Sequence, residues 1–102
     1  MRFLAMVEGL NFLGKIEGKV TRIGFYANRE VVADTVEAID QEALFRSVLK
    51  ELESNSISTT PRSRMWVSRV SQRMESDGGQ IRGFSFYPQT GWLQRAFSKL
   101  FQ

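Results

Sequence analysis

The chain of 102 residues contains no cysteine and no histidine. Disulfide bonds, thiolate nucleophiles, imidazole general bases and the common zinc sites are therefore excluded. These two absences remove most of the chemistry that small hydrolases and metalloproteins use. A metal site built from carboxylates alone stays open, but no cluster of such ligands stands out. We predict neither a metal nor a cofactor.

Long apolar runs are also missing. The opening segment after Arg2 is apolar, but Glu8 ends it well short of the apolar region of a secretion signal, and no cleavage site follows. No stretch approaches the roughly 18 apolar residues that a membrane-spanning helix needs. We therefore expect a cytoplasmic protein without a membrane span.

What is present suits one folded domain over residues 1–102. Hydrophobic residues make up 42% of the chain and aromatic residues 12%, which is ample for a core. The net charge of +3 is unevenly spread. Residues 1–53 carry seven basic and nine acidic side chains, a net charge of −2, whereas residues 54–102 carry seven and two, a net charge of +5. This asymmetry indicates either a solvated basic face or contact with an anionic partner such as nucleic acid.

The longest alternating run is KVTRIGFYANREVVA, residues 19–33, and it predicts a half-buried strand. One face would carry Ile23, Phe25, Ala27, Val31 and Ala33, and the other Arg22, Tyr26, Asn28 and Glu30. Arg29 falls on the apolar face. Because an unpaired charge is costly in a core, this arginine predicts a bulge, an edge position, a partner or a functional role.

The residues before and after this run predict further elements. Arg2 to Glu8 is apolar on both sides, as in a central strand covered on both faces, and residues 15–19 predict a hairpin turn. Asp34 is a candidate N-cap for a helix that reaches about Glu53. Its apolar stripe would be Ala38, Phe45, Val48, Leu49 and Leu52.

The second half predicts a loop, two strands and a helix. Residues 54–63 form the loop, and residues 64–75 favour a strand, with a helix as the alternative. Residues 76–79 predict a hairpin turn, residues 81–87 a strand ended by Pro88, and residues 91–102 an amphipathic helix. The predicted fold is α+β, a four-stranded antiparallel sheet with two helices in the order β-β-α-β-β-α, in which hairpins join both strand pairs.

Three segments resemble a family of small bacterial proteins that has no established activity. The segments are an EG-x-N first strand, a GFY-x-x-R-x-V-x-A second strand and a late G-F-x-aromatic-Y-P strand. The resemblance covers residues 1–40 and a few positions near the end. It implies the strand assignments and no function. The matching residues are Glu8, Gly9, Asn11, Phe12, Gly24, Phe25, Tyr26, Arg29, Val31, Ala33, Gly83, Phe84, Phe86, Tyr87 and Pro88.

One functional hypothesis is binding of single-stranded nucleic acid. Residues 82–86, RGFSF, partly match the RNP1 pattern, in which aromatic side chains on a sheet stack on bases. Four arginines near Trp66 could contact phosphates: Arg62, Arg64, Arg69 and Arg73. Against this hypothesis, the predicted strand order differs from that of RNA-recognition motifs, and Pro88 follows where their strand continues. Phe84 and Phe86 would serve equally well in a core.

Two other classes of function are open. An enzyme would have to rely on carboxylates and tyrosines, for instance Glu8 and Glu17 meeting across the first hairpin. No phosphate loop, nucleophile elbow or metal-ligand cluster supports this, so we lean towards a protein that is not an enzyme. The third class is a protein-interaction module that self-associates, since the predicted helices and sheet edges offer surplus apolar surface.

The sequence favours a non-catalytic binding module that forms a homodimer. Single-stranded nucleic-acid binding is the alternative, and a protein partner other than a second copy also stays open. The predicted interface lies on the C-terminal helix at Phe97 and Phe101. The predicted binding surface consists of Tyr26, Asn28, Arg29, Trp66, Arg69 and Arg73.

Overall fold

A computed structural model describes residues 1–74 and 83–89 of the chain. These residues form one antiparallel sheet in the order β3-β1-β2-β4 and one helix, which confirms the α+β class. The second predicted helix, residues 91–102, lies outside the described residues. The elements are β1 (Arg2–Ile16), β2 (Lys19–Val32), α1 (Gln41–Ser54), β3 (Arg64–Arg73) and β4 (Phe84–Pro88).

The hairpin of β1 and β2 is the centre of the sheet. Its turn is Glu17-Gly18, and both residues have positive φ, 52° and 80°. Two consecutive left-handed residues match the twist of the flanking strands, which is why such turns close two-residue hairpins. The predicted turn is confirmed. The prediction ended β1 too early at Glu8, because the glycines that follow belong to the strand.

A bulge in β1 lies between Gly9 and Phe12, where Asn11 has a φ of 66°. The bulge is held from two sides. The Asn11 carbonyl accepts hydrogen bonds from the Thr60 and Ser63 hydroxyls at 2.8 and 2.7 Å, and its N–H donates to Gln89 Oε1 at 2.8 Å. The predicted loop before β3 and the end of β4 are thereby fastened to the central strand.

The prediction that β3 and β4 form a hairpin is wrong. The two strands lie at opposite edges of the sheet, with β3 beside β1 and β4 beside β2. The central hairpin leaves one free edge on each side, and each late strand pairs with one of them. The predicted turn over residues 76–79 lies outside the described residues.

The helix starts later than predicted. Its N-cap is Asp40 and not Asp34, because Asp40 Oδ1 accepts a hydrogen bond from the Ala43 N–H at 3.0 Å. The Thr35 hydroxyl and carbonyl instead hold a turn at Ala38, each at 3.2 Å. The buried stripe is also shifted from the predicted one, and it consists of Leu44, Val48 and Leu52.

The core lies between α1 and one face of the sheet. It includes the largest buried side chains of β1 and β2, Phe12, Ile23 and Phe25. The predicted strand over residues 64–75 is confirmed as β3, and Met65, Val67 and Val70 pack against this core. In the described residues the only helix is on this face, so the expectation that β1 is covered on both faces is not met there. Within the described residues, α1 is neither long nor apolar enough to span a membrane.

Candidate functional site

The face of the sheet opposite α1, here called the open face, carries the polar and aromatic side chains. Strand register defines it, since residues directly opposite each other share a face. Met6 lies opposite Asn28 on β2 and opposite Arg69 on β3. A bulge in β3 between Val67 and Arg69 keeps Arg69 on this face. Its charged and aromatic members are Arg2, Glu8, Lys15, Arg22, Tyr26, Glu30, Arg64, Trp66, Arg69, Arg73 and Tyr87.

Three aromatic side chains, here called the aromatic row, cross the open face. Trp66 lies opposite Glu8, and Glu8 lies opposite Tyr26, so one line of residues runs across three strands. The row continues onto β4, because the rings of Tyr26 and Tyr87 lie 5.6 Å apart. Trp66 is 37% exposed and Tyr26 is 40% exposed. Both rings therefore offer accessible surface to a planar ligand.

Gly24 makes room for the Tyr87 ring. The two residues lie opposite each other on β2 and β4, and a Cβ atom at position 24 would lie 2.5 Å from Tyr87 Cζ. A side chain there would push the ring away from the sheet, because real Cβ contacts are never that short. The absence of a side chain at Gly24 thus allows the Tyr87 ring to lie against β2 and extend the aromatic row.

The Tyr87 hydroxyl is a hydrogen-bond donor at neutral pH. Burial raises the pKa of Tyr87 above the usual value of 10.0, and the neighbouring Tyr26 and the negative charge of Glu8 raise it further. A neutral phenol beside a carboxylate adds no negative charge to the row.

The open face is basic. Among the described residues it carries six basic side chains (Arg2, Lys15, Arg22, Arg64, Arg69 and Arg73) and two acidic ones (Glu8 and Glu30), a net charge of +4. The segment that leads into and forms most of α1, residues 34–53, carries six acidic and two basic residues, a net charge of −4. Within the described residues, the open face is therefore basic and the segment that forms α1 is acidic. An anionic ligand is attracted to the open face.

Three of these arginines, Arg22, Arg64 and Arg69, form no ion pair with any described residue and are exposed. They lie on two strands around the aromatic row, Arg22 on β2 and the other two on β3. Arg2 and Arg73, in contrast, share the carboxylate of Glu30. The three exposed arginines can therefore bind an anionic ligand, whereas Arg2 and Arg73 neutralise the charge of Glu30.

A depression of about 150 Å³ lies beside the aromatic row. Leu4, Met6, Asn28, Arg69 and Ser71 line it. Asn28 Oδ1 is buried and receives no hydrogen bond within the described part of the chain. A buried acceptor without a donor is uncommon in a folded protein, because leaving it unpaired costs free energy. The charged residue of the lining is Arg69, which is exposed.

The structure brings together four of the six predicted binding residues. Tyr26, Asn28, Trp66 and Arg69 lie on the open face, as the alternation of β2 predicted for the first two. Arg29 does not. It is 7% exposed, lies on the opposite face and belongs to an interior strand with no bulge at its position.

Arg29 has a partner instead, which was one of the options that the sequence left open. Its Nη2 donates to Glu51 Oε1 on α1 at 2.5 Å, and its Nη1 donates to the Asn28 carbonyl at 2.9 Å. The predicted binding role of this arginine is corrected to a structural one. It ties the helix to the sheet.

Arg73 is also misplaced in the predicted site. It is on the open face, but it is buried, and its Nη1 donates to Glu30 Oε2. Strand alternation alone could not show that Glu30 lies close enough to accept a hydrogen bond from Arg73.

The RNP1-like match would need Phe84 and Phe86 on the open face, and the structure places them on the other face. Phe84 and Phe86 lie opposite Ala27 and Phe25, on the same side as α1, and the Phe84 ring stacks on Phe25 at 5.7 Å. Arg82 lies outside the described residues. The hypothesis that Glu8 and Glu17 meet is also wrong, since Glu8 lies opposite Tyr26 and Glu17 forms the turn at the far end of the hairpin.

The predicted site did not include Tyr87, Ser71 or the apolar residues that line the depression, Leu4 and Met6. Alternation along β4 puts Tyr87 on the face opposite to Phe84 and Phe86. The sequence pattern could therefore have identified Tyr87 as a residue of the open face. Ser71 carries no signal of its own. It belongs to the site only because β3 pairs with β1, a contact that is distant in sequence.

Comparisons with protein-family models, curated proteins and solved structures find no match to this chain. The resemblance to a bacterial family stays a prediction. The described residues hold no group of three or more carboxylates that could bind a metal ion. The predicted interface residues Phe97 and Phe101 lie outside the described residues.

Proposed function

We propose that this protein is a cytoplasmic, non-catalytic binding domain whose open face binds single-stranded nucleic acid. The observation that carries the proposal is the aromatic row, exposed on the open face and surrounded by arginines that form no ion pair with any described residue. General sequence features supported only a binding module of some kind. The juxtaposition of exposed rings and of guanidinium groups that pair with no described carboxylate favours this ligand.

Stacking supplies the contact with bases. Trp66 and Tyr26 lie on strands separated by β1, so their backbones are about 10 Å apart. Bases of a flexible single strand can be spread over such a distance, and each ring can take one base because every base has an aromatic face. A duplex keeps its bases stacked inside and cannot use the row. The proposal therefore specifies single strands.

Arginines supply the contact with the phosphates. Arg22 is exposed on β2, and Arg64 and Arg69 are exposed on β3. Binding three phosphates of a single strand releases counterions, so the logarithm of the affinity falls with the logarithm of salt with a slope of about −2. Glu8, in the middle of the row, repels phosphates but can accept hydrogen bonds from base amino groups.

Truncating the row tests this proposal. Trp66→Ala and Tyr26→Ala are each expected to raise the Kd for a labelled mixed-sequence oligonucleotide about 5- to 150-fold, because each removes one stacking platform. Fluorescence anisotropy measures the Kd, with DNA and RNA of the same sequence as separate arms. Phe86→Ala is the matched control, since Phe86 is an exposed aromatic residue on the opposite face.

Two results would contradict the proposal. One is that the unmodified protein binds neither DNA nor RNA at low salt. The other is that Phe86→Ala weakens binding as much as Trp66→Ala does. An affinity that does not change with salt would also exclude the phosphate contacts.

Self-association stays part of the proposal and rests on the predicted C-terminal helix. The edge strand β3 does not favour it. Antiparallel pairing about the centre of β3 would set Arg64 opposite Arg73 of the partner subunit, and like charges across strands are destabilising. The interface is therefore proposed at Phe97 and Phe101.

The double variant Phe97→Ser/Phe101→Ser is expected to be a folded monomer. Sedimentation measures its mass, and a cooperative thermal transition shows that it is folded. Ser98→Ala/Lys99→Ala, on the opposite side of the predicted helix, should leave the mass unchanged. A non-cooperative transition in the serine variant would place the phenylalanines in the core, and a monomeric unmodified protein would end the proposal of a homodimer.

A further inference from the structure

Glu8 lies in the middle of the aromatic row. It is directly opposite Trp66 on one side and Tyr26 on the other. Side chains that face each other in this way have Cβ atoms about 4.5–5.5 Å apart, so Glu8 is a neighbour of both rings. Its negative charge also acts on Tyr87 and raises the pKa of that phenol. A base stacked on Tyr26 would extend over β1 and bring one edge to Glu8, because neighbouring strands are about 4.8 Å apart.

The carboxylate of Glu8 is available to a ligand. Glu8 is half-buried, and it forms no hydrogen bond or ion pair with any described residue. Its oxygen atoms are accessible, since the buried side-chain atoms that lack a hydrogen bond in the described part of the chain are Asn28 Oδ1 and Arg29 Nε. Glu30, the other acidic residue among the described residues of the open face, is instead paired with two arginines.

The hydrogen-bonding capacity of this carboxylate is one-sided. An ionised carboxylate presents two acceptor oxygens and no donor. Its charge repels phosphates, so within the proposed function it favours binding only through a contact with a base. The base edge that fits it carries two adjacent N–H donors. A base that turns an acceptor towards it leaves polar groups unpaired, which costs free energy.

Guanine is the base that has such an edge. Its ring N1–H and its exocyclic amino group are neighbours and point in the same direction. In adenine and cytosine the amino group lies next to a ring nitrogen that accepts hydrogen bonds, and in uracil and thymine the N–H lies between two carbonyl groups. Guanine can therefore donate to both oxygens of a carboxylate, whereas each of the other bases would turn an acceptor towards the second oxygen.

We infer that Glu8 is a specificity-determining residue that selects guanine at the aromatic row. The inference deepens the proposed function and rests on it, because the base arrives as part of a bound single strand. The guanine ring stacks on Tyr26, and its N1–H and amino group each donate to one oxygen of Glu8. In a single strand this edge of the base is open, because no partner base occupies it.

Three labelled RNA ligands isolate this contact. Each is an oligouridine of about seven nucleotides with one central purine, which is guanine, hypoxanthine or adenine. The unmodified protein is expected to bind the guanine ligand about 5- to 150-fold more tightly than the adenine ligand, the discrimination of one good bidentate contact. Hypoxanthine keeps the N1–H and lacks the amino group, so its Kd should lie between the other two. Fluorescence anisotropy at constant low salt measures the three values.

The variant Glu8→Gln assigns the preference to the carboxylate. Glutamine has nearly the same shape, but it pairs an acceptor with a donor and fits adenine as well as guanine. The two Kd values should come within about twofold of each other. The adenine ligand should also bind more tightly than it does to the unmodified protein, because a negative charge has been removed from the face.

Glu17→Gln is the matched control. It removes the same charge from the exposed hairpin turn, away from the row, and should keep the guanine preference. Thermal transitions show whether each variant is folded. The comparison of guanine with hypoxanthine uses the unmodified protein, so it tests the contact even if Glu8→Gln does not fold.

The outcomes separate this inference from the proposed function. Equal, measurable binding of the three ligands by the unmodified protein overturns the role of Glu8 and leaves nucleic-acid binding intact. Equal binding of the guanine and hypoxanthine ligands, or a guanine preference that persists in Glu8→Gln, also overturns that role. No binding of any ligand overturns both proposals.

Discussion

Replacing Glu51 with leucine is expected to lower the free energy of unfolding by about 3 kcal/mol or more. Glu51 accepts from the Arg29 guanidinium at 2.5 Å, and the Arg29 side chain is only 8% exposed. The variant leaves a buried positive charge without its carboxylate. The remaining hydrogen bond, from Nη1 to the Asn28 carbonyl, does not neutralise that charge. Urea unfolding measures the loss.

A double variant separates the charge from the packing. Arg29→Met/Glu51→Leu should recover most of the lost free energy, because apolar side chains of similar volume often replace a buried pair without cost. Glu42→Leu is the matched control on the same helix. Its ion pair with Arg46 is exposed, and its loss should cost about 0.5 kcal/mol or less. Equal losses in Glu51→Leu and Glu42→Leu would show that the Arg29 pair is not a buried one.

Gly9→Ala is expected to destabilise the fold by about 1–3 kcal/mol or more, through overpacking. A Cβ atom at position 9 would overlap three carbon atoms of the Phe25 ring. That ring is fully buried and is held edge-on by Phe12, with ring centroids 5.1 Å apart, so it has no space to move. Thermal or urea unfolding measures the effect.

Gly24→Ala is the matched control for this prediction. Its Cβ atom would also overlap an aromatic ring, but that ring is the outer part of Tyr87, which can turn towards solvent. We therefore expect a smaller loss of stability than in Gly9→Ala. In the background of Phe25→Leu, Gly9→Ala should cost less than it does alone. An equal cost in both backgrounds would mean that the Phe25 ring is not the cause.

Much of the fold could be predicted because it depends on local patterns. Alternation placed the two faces of β2, the Glu17-Gly18 turn has its own signature, and the loop over residues 54–63 is polar. The start of α1 could not be predicted. By sequence Asp34 is the better N-cap, because Glu37 three residues later completes a capping-box pattern that Asp40 lacks. The structure uses Asp40, after the turn that Thr35 holds.

The order of the strands could not be predicted either. A turn signal between two strands suggests a hairpin, but β3 and β4 choose their neighbours by contacts distant in sequence. Val70 and Phe84 pack against the core formed by the central hairpin, which holds the two strands at opposite edges. The positions of β3 and β4 in the sheet also determine which side chains form the candidate site. The open face gained Tyr87 from one edge and Trp66 from the other.

The two misassigned arginines show a further limit of sequence patterns. Alternation shows which face a residue occupies, and it correctly placed Arg29 on the apolar face. It does not show that α1 would bring Glu51 to that arginine, or that Glu30 would lie within reach of Arg73 across two strand spacings. Carboxylates distant in sequence turned both predicted ligand contacts into internal ion pairs.

The fluorescence of Trp66 tests the central claim most directly. Trp66 and Trp92 are the two tryptophans of the chain, so in a Trp92→Phe variant the signal comes from Trp66 alone. Titration with a single-stranded oligonucleotide is predicted to quench this fluorescence in parallel with the rise in anisotropy, because a base stacks on the indole ring. Anisotropy that rises while the fluorescence of Trp66 stays unchanged would show that nucleic acid binds elsewhere, and would contradict the assignment of the open face as the binding site.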